Sequence, residues 1–409
     1  MYLRKQILFA LSLLLLSVSV RSQSVFQIVE SVPVETILEE SKLPRAADVW
    51  VEMINSAKKS IDMETFYIAN EKGEPLELVI KEIIAAANRG VQVRIIIDEN
   101  FFSRYPESDN VFRNIPNISL KKIQFGKIAG GVMHAKYFVV DKEDLFLGSQ
   151  NFDYRALKHI HELGVRVKDK NLAAMFMRIF ETDWQLCDDY SDARIKRLKS
   201  KSSKKIYTYK NKRTLNTVDY GKVKLYPAFS PNDLVNKGFA KEETELVRFI
   251  RNAKDKLYIN YFSYSTKGKD KDSPYTTIDD ELRKAAERGV DVKIIFSDWA
   301  IKKDAINRIK ELSQVKGIEV KLSTIPQYSG GFIPYSRVQH CKMMVSDKYS
   351  WISTANFERS YFYECRNATF IIDNRKVKEE LEIVFMRVWN SSYAEKIDVN
   401  KECKPVKRD

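Results

Sequence analysis

The chain has 409 residues, 44% hydrophobic and 30% charged, with 22 Phe and 20 Tyr. At about 100–200 residues per domain this is two or three globular units with ample core, which excludes a disordered or low-complexity chain. Lys and Arg number 69 against 55 Asp and Glu, a formal charge of +14, so nucleic acid, anionic lipid and phosphate-bearing substrates are favoured over basic ones.

The N-terminus carries an export pattern. Tyr2–Lys5 holds two positive charges, Ile7–Val20 is apolar apart from serine, and Val20-Arg21-Ser22 offers a cleavage site. The apolar stretch is shorter than the roughly 18 residues of a membrane span. Residues 1–22 are therefore expected to be a signal peptide, with an uncleaved anchor as the alternative, and the remainder extracytoplasmic (secreted, periplasmic or endolysosomal). Four cysteines are too few for a disulfide scaffold. Cys365 and Cys403 could clamp the C-terminal tail, and Cys341 reads as a packing residue. Sequons begin at Asn117, Asn367 and Asn390.

From residue 46 the elements run as helix Ala46–Lys59, strand Ser60–Tyr67, amphipathic helix Glu77–Arg89 closed by Gly90, and the β-branched run Val91–Ile97 of a buried parallel strand. The sequence then repeats. AAANRGVQVRIIID (Ala85–Asp98) returns as KAAERGVDVKIIFSD (Lys284–Asp298), with the Arg-Gly-Val triplets offset by 199. The second copy predicts a strand over Leu257–Phe262, a helix over Ile278–Arg288 and a strand over Val290–Phe296. So long a period means two similar α/β domains, not a solenoid. They are expected at residues 23–195 and 217–409, joined by a lysine- and serine-rich linker, 196–216.

Each half carries the same polar constellation. The first reads His134-x-Lys136-x4-Asp141, then Gly148-Ser149-Gln150-Asn151, then Glu162. The second reads His340-x-Lys342-x4-Asp347, then Ser353-Thr354-Ala355-Asn356, then Glu364. His, Lys and Asp are offset by 206 and the Asn pair by 205. If Val132–Val140 is a strand, His134 and Lys136 share a face. A following strand, Asp144–Asn151, would bring Ser149 and Asn151 alongside. An imidazole, an ammonium, a hydroxyl and an amide then converge, which suits a phosphate: Lys and Asn stabilise its oxygens, and His attacks phosphorus or carries a proton. One such motif is weak, but two in matching domains resist a structural explanation. Asp141 and Asp347, where a strand turns, are read as orienting groups. His159 and His161 are read as ordinary surface or supporting residues.

These motifs resemble those of the phospholipase D superfamily. HAKYFVVDKEDLFLGSQNFDYRALKHIHELGV and HCKMMVSDKYSWISTANFERSYF resemble most the animal lysosomal phospholipase-D-like exonucleases, and the similarity runs from about Val32 to Asp398. The resemblance implies two α/β/α sandwich domains about a pseudo-twofold axis with one shared active site. It implies that one of His134 and His340 forms a phosphohistidine while the other protonates the leaving group. Lys136, Lys342, Asn151 and Asn356, with the hydroxyls of Ser149 and Thr354, would bind phosphate. Glu162 and Glu364 would hydrogen-bond the far side of the imidazoles. No metal or other cofactor is implied.

Single-stranded DNA or RNA is the favoured substrate. Tyr258–Tyr275, with Lys267, Lys269 and Lys271 beside Tyr261, Phe262 and Tyr264, could form a cationic, stacking surface. A phospholipase D or transphosphatidylase is the alternative, with Gly330–Tyr335 as an interfacial loop. An inactive polyanion-binding module is a minor third, disfavoured because both His, both Lys and both Asn are present. No protein partner is predicted.

Overall fold

The computed structural model describes residues 24–102, 105, 110–201, 205–270, 273–301, 303–403 and 407. The expected signal peptide and Lys271 lie outside the described residues. The first sheet contains β1 (Phe26–Ser31), β2 (Ser60–Glu64), β4 (Gln92–Asp98), β5 (Ile118–Ile123), β6 (Tyr137–Val140), β7 (Asp144–Gly148) and β9 (Glu162–Lys168), in the spatial order β1-β9-β7-β6-β2-β4-β5. Two short strands, β3 (Ile68–Ala69) and β8 (Phe152–Asp153), pair beside it.

The second sheet repeats this order. Its strands β11 (Gly221–Ser230), β13 (Lys256–Tyr261), β14 (Asp291–Ser297), β15 (Ile318–Ser323), β16 (Met343–Ser346), β17 (Ser350–Ser353) and β18 (Asn367–Asp373) run β11-β18-β17-β16-β13-β14-β15. It is extended by β10 (Arg213–Thr217) outside β11, β19 (Ala394–Lys396) outside β15, and β12 (Ala240–Lys241) against β11. In both halves the strands joined by helices are parallel and the motif-bearing hairpin is antiparallel.

The helices form where their apolar spacing and caps require. Pro75–Asn88 starts on proline, buries Leu76, Val79, Ile80 and Ile83, and ends before Gly90 at φ 94°. Its counterpart Thr277–Glu287 ends before Gly289 at φ 88°. Helix Lys170–Leu186 is capped by Asp169, whose carboxylate accepts from the N–H groups of Asn171 and Leu172. That helix joins the halves: Phe176 lies 5.1 Å from Phe229 and 5.3 Å from Phe370, centre to centre. The lysine-rich stretch 196–216 is anchored by buried Leu198 and Tyr207. It begins in helix Asp192–Ser200 and ends in β10.

Two strand expectations need correction. Residues 132–136 do not extend β6, and the strand beginning at Asp144 stops at Gly148. The reason is that the backbone of 132–134 pairs with the other half. The Arg366 N–H donates to Val132 O at 3.0 Å, and the His134 N–H donates to Arg366 O at 3.0 Å. The four cysteines are free thiols, so no Cys365–Cys403 clamp exists.

Candidate active site

The crossing at residues 132–134 has a symmetric twin. The His161 N–H donates to Val338 O at 3.1 Å, and the His340 N–H donates to His161 O at 2.9 Å. Each His-x-Lys segment is thus carried by the opposite half, at the start of β9 or β18. The two motifs meet at this seam, and their charges interact. Burial and then Lys342 hold Lys136 well below its ordinary pKa, and burial brings Lys342 down to about 7. Burial, followed by both lysines, depresses His134 and His340 as well.

Equivalent groups line the two sides. The Lys136 ammonium donates to His134 O at 2.7 Å and lies 5.2 Å from the Phe66 ring centre; the Lys342 ammonium donates to His340 O at 3.0 Å and lies 5.3 Å from Phe262. Those hydrogen bonds use one of the three donors on each ammonium. Asn151 and Asn356 are nearly buried, and it is the Nδ2 group of each amide, not Oδ1, that can donate to an anion. Two cationic groups and two amides at one seam make a receptor for a compact anion.

The far sides of the rings are held unequally. Both carboxylate oxygens of Glu162 lie 2.8 Å from His340 Nδ1. Burial pushes the Glu162 carboxyl up to about 8, against the pull of Lys342, Ser149 and Lys136. His134 Nδ1 instead meets Asn367 Oδ1 at 3.0 Å. Glu364 does not reach His134: it sits at the end of helix Arg359–Tyr363 and pairs with Arg359 at 2.5 Å. Asn367 is the residue missed in the sequence. Eleven positions separate Asn151 from Glu162, and the same number separates Asn356 from Asn367. Asn367 is wholly buried, so its sequon is not a surface glycosylation site.

Other expected ligands also have different work. The Ser149 hydroxyl donates to Leu163 O at 3.3 Å and accepts from the Leu163 N–H at 3.0 Å. Thr354 Oγ1 donates to Asn367 Oδ1 at 3.1 Å and accepts from the Ala368 N–H. These hydroxyls fix the residues behind the imidazoles and are not turned to phosphate. Asp141 and Asp347 lie at the other end of the hairpin strands. Asp141 and Lys142 have φ of 50° and 58°, the left-handed pair of a tight hairpin turn. The Asp141 carboxylate accepts from the N–H groups of Lys58, Lys59 and Ser60 at 2.7–2.9 Å, and Asp347 from those of Lys254 and Asp255. Burial opposes it, but these donors hold the Asp141 carboxyl below its ordinary value. His159 and His161 are fully buried, not on the surface. Of the stretch Tyr258–Tyr275, Tyr261 and Tyr264 are core, Lys267 and Lys269 are exposed, and Phe262 reaches the site, its ring centre 4.7 Å from His340.

The cardiolipin synthase, PLD-like domain family matches residues 50–184 and 246–389. The chain belongs to the phospholipase D superfamily and is a phosphodiesterase of that class. Among its relatives is the virion nicking-joining enzyme of vaccinia virus, 30% identical over 93% of this chain and 92% of that one. Phospholipase D Z of Dictyostelium discoideum is 29% identical, covering 90% of each. The 5′-3′ exonuclease PLD3 of Xenopus tropicalis is 28% identical over 90% of this chain and 80% of that one. The fold is shared with phosphatidylserine synthase of Haemophilus influenzae, with a TM-score of 0.59 and 16% identity over 86% and 85% of the two chains.

Proposed function

We propose that the chain is an exonuclease acting on single-stranded nucleic acid through a phosphohistidine. One imidazole attacks phosphorus and the other protonates the leaving oxygen. Lys136, Lys342, Asn151 and Asn356 bind the phosphate. The relatives include one named an exonuclease and one named a phospholipase, so the preference for nucleic acid rests on the rings around the site.

Those rings form an arc contributed by both halves. On one side Phe66 lies 5.1 Å from His134 and 3.9 Å from Phe101, which neighbours Tyr67; Tyr67 stacks on Tyr105 at 4.6 Å. On the other, Phe262 beside His340 meets Trp299 at 5.3 Å, and Trp299 stacks on Tyr335 at 5.9 Å. Arg155 links the two sides: its guanidinium donates to Tyr105 Oη at 3.0 Å and to Pro334 O at 3.1 Å. All these rings except Phe66 are part-exposed. Flat, half-exposed rings beside a cationic phosphate site suit stacked bases better than acyl chains.

The deciding assay is paired and contains chelator. One arm holds 5′-hydroxyl single-stranded DNA and the other mixed phospholipid vesicles, with His340→Ala as the control for both. Shortening of DNA that is absent in the variant supports the reading. Headgroup release with intact DNA makes the chain a phospholipase using the same residues.

A further inference from the structure

The basic stretch between the two halves takes no part in the site. We propose that helix Asp192–Ser200 and the cations around its end form a second binding surface, which holds the trailing part of a single-stranded nucleic acid whose end lies between the two motifs. The inference rests on the nucleic-acid reading above and extends it.

The two flanks of the site are not alike. On one, the Arg155 guanidinium, held by Asp153 at 2.6 Å, crosses from the first half to Pro334 O of the second at 3.1 Å. The equivalent position, 205 residues on, is Ser360, whose side chain is too short for such a crossing. The way out for a strand is therefore the second flank, past Tyr361, whose ring lies 4.9 Å from His134.

That flank leads to the basic helix. The Asn232 N–H donates to Phe362 O, next to Tyr361, at 2.8 Å. A few residues further on, the Asn236 amide donates to Leu198 O at 3.0 Å and the Lys237 N–H donates to Lys199 O at 2.9 Å. Residues 232–237 reach at most about 20 Å even when fully extended. Single-strand binding surfaces commonly cover about 4–16 nucleotides, which is ample for that distance.

The charge on this surface is unbalanced. Lys196, Arg197, Lys201, Lys205 and Lys237 are exposed and Lys199 is half-buried. None of the six has an ion-pair partner among the described residues, whereas the neighbouring Arg194, Lys212 and Arg213 take up Asp189, Asp373 and Asp169. The helix dipole accounts for cations in the last turn, Arg197 and Lys199. It does not account for Lys201, Lys205 and Lys237 beyond the turn. From Asp192 to Lys201 the exposed side chains are charged, Ser or Ala, with no large apolar group to enter a bilayer. A flexible polyanion needs only the charge, since binding releases its condensed counterions.

The test compares the full chain with Lys196→Gln/Arg197→Gln/Lys201→Gln, three exposed changes to a good helix former. KM for a 20-nucleotide single strand should rise at least about fivefold at low salt. KM for a trinucleotide and turnover of bis(4-nitrophenyl) phosphate should stay within about twofold, which also shows that the variant is folded. Binding of the 20-mer is read separately by fluorescence anisotropy, with His340→Ala in both proteins to prevent cleavage. Each lost phosphate contact flattens the slope of log affinity against log salt by about 0.7, so the slope should become shallower by about two. An unchanged slope overturns the proposal. So does an equal loss on the trinucleotide, which puts these cations at the site itself. Phosphatidylserine vesicles form a third arm: if the substitutions abolish vesicle binding and leave the 20-mer slope unchanged, the surface faces a membrane and the proposal fails. A wild-type chain that cleaves neither strand overturns the exonuclease reading, and the anisotropy slope then decides by itself whether the basic surface holds a strand.

Discussion

β9 and β18 occupy the same place in their sheets, yet the residue just before each is different. Ahead of Glu162 is His161, and ahead of Asn367 is Arg366. Arg366 is fully buried, donates from two nitrogens to Asp183 at 2.6 and 2.7 Å, and donates again to Ser230 O. His161 lies between Glu30 at 2.7 Å and Gln339 at 2.8 Å. Burial opposes a charge on His161, but the Cys341 sulfur and the Glu30 carboxylate raise it well above its ordinary pKa. The backbone symmetry places the two motifs, while the side chains behind them are free to diverge.

The largest contrast should appear on removing those supports. Arg366→Ala leaves Asp183 buried and unpaired, and breaking such a pair costs about 3–5 kcal/mol. His161→Ala should cost less, because Glu30 keeps Arg387 at 3.5 Å and Arg45 at 3.8 Å. Urea unfolding of both variants measures the difference.

The ring arc gives the next effect. Trp299→Ala and Tyr105→Ala remove stacking surface from opposite sides, and a stacked base is worth about 1–3 kcal/mol. Each should raise KM for single-stranded DNA with little change in turnover of bis(4-nitrophenyl) phosphate. If only one does so, the bases lie along one half.

A pH series separates the two lysines. Lys342 is charged in the free protein below about 7 and loses its proton above it, whereas a bound anion keeps it charged. Affinity for dimethyl phosphate, itself singly charged throughout, should therefore fall by up to about tenfold per pH unit above that point. Lys342→Met should remove that bend, and a titration by calorimetry would show it.

The smallest effect belongs to the hairpin turns. Asp141→Ala releases three backbone donors and Asp347→Ala two, each costing about 1–2 kcal/mol of stability. Neither should change turnover by the folded enzyme. A collapse of turnover without loss of stability would return these aspartates to the catalytic group.

Much of this was legible in the sequence. The paired His-x-Lys motifs and the repeated Arg-Gly-Val junctions identify two matching sheets, because apolar β-branched runs and glycine helix ends have few other uses. An acidic partner is expected at that point in both halves, which points to Glu364, whereas the spacing repeated within the chain leads from Asn356 to Asn367. Ser149 and Thr354 look like phosphate ligands until the bonds to the backbone of β9 and β18 are seen. His161 and Arg366 carry no local pattern, since their partners Glu30 and Asp183 lie more than a hundred residues away in sequence.

The hydrogen bonds from the His134 and His340 N–H groups to the opposite half have a mechanical consequence. The gap between the two motif imidazoles is set by the seam between the sheets, not by either sheet alone. Mild denaturant that loosens the seam should silence the enzyme while its helices and strands remain intact. A chain severed within 196–216 should stay active as long as its two pieces hold together.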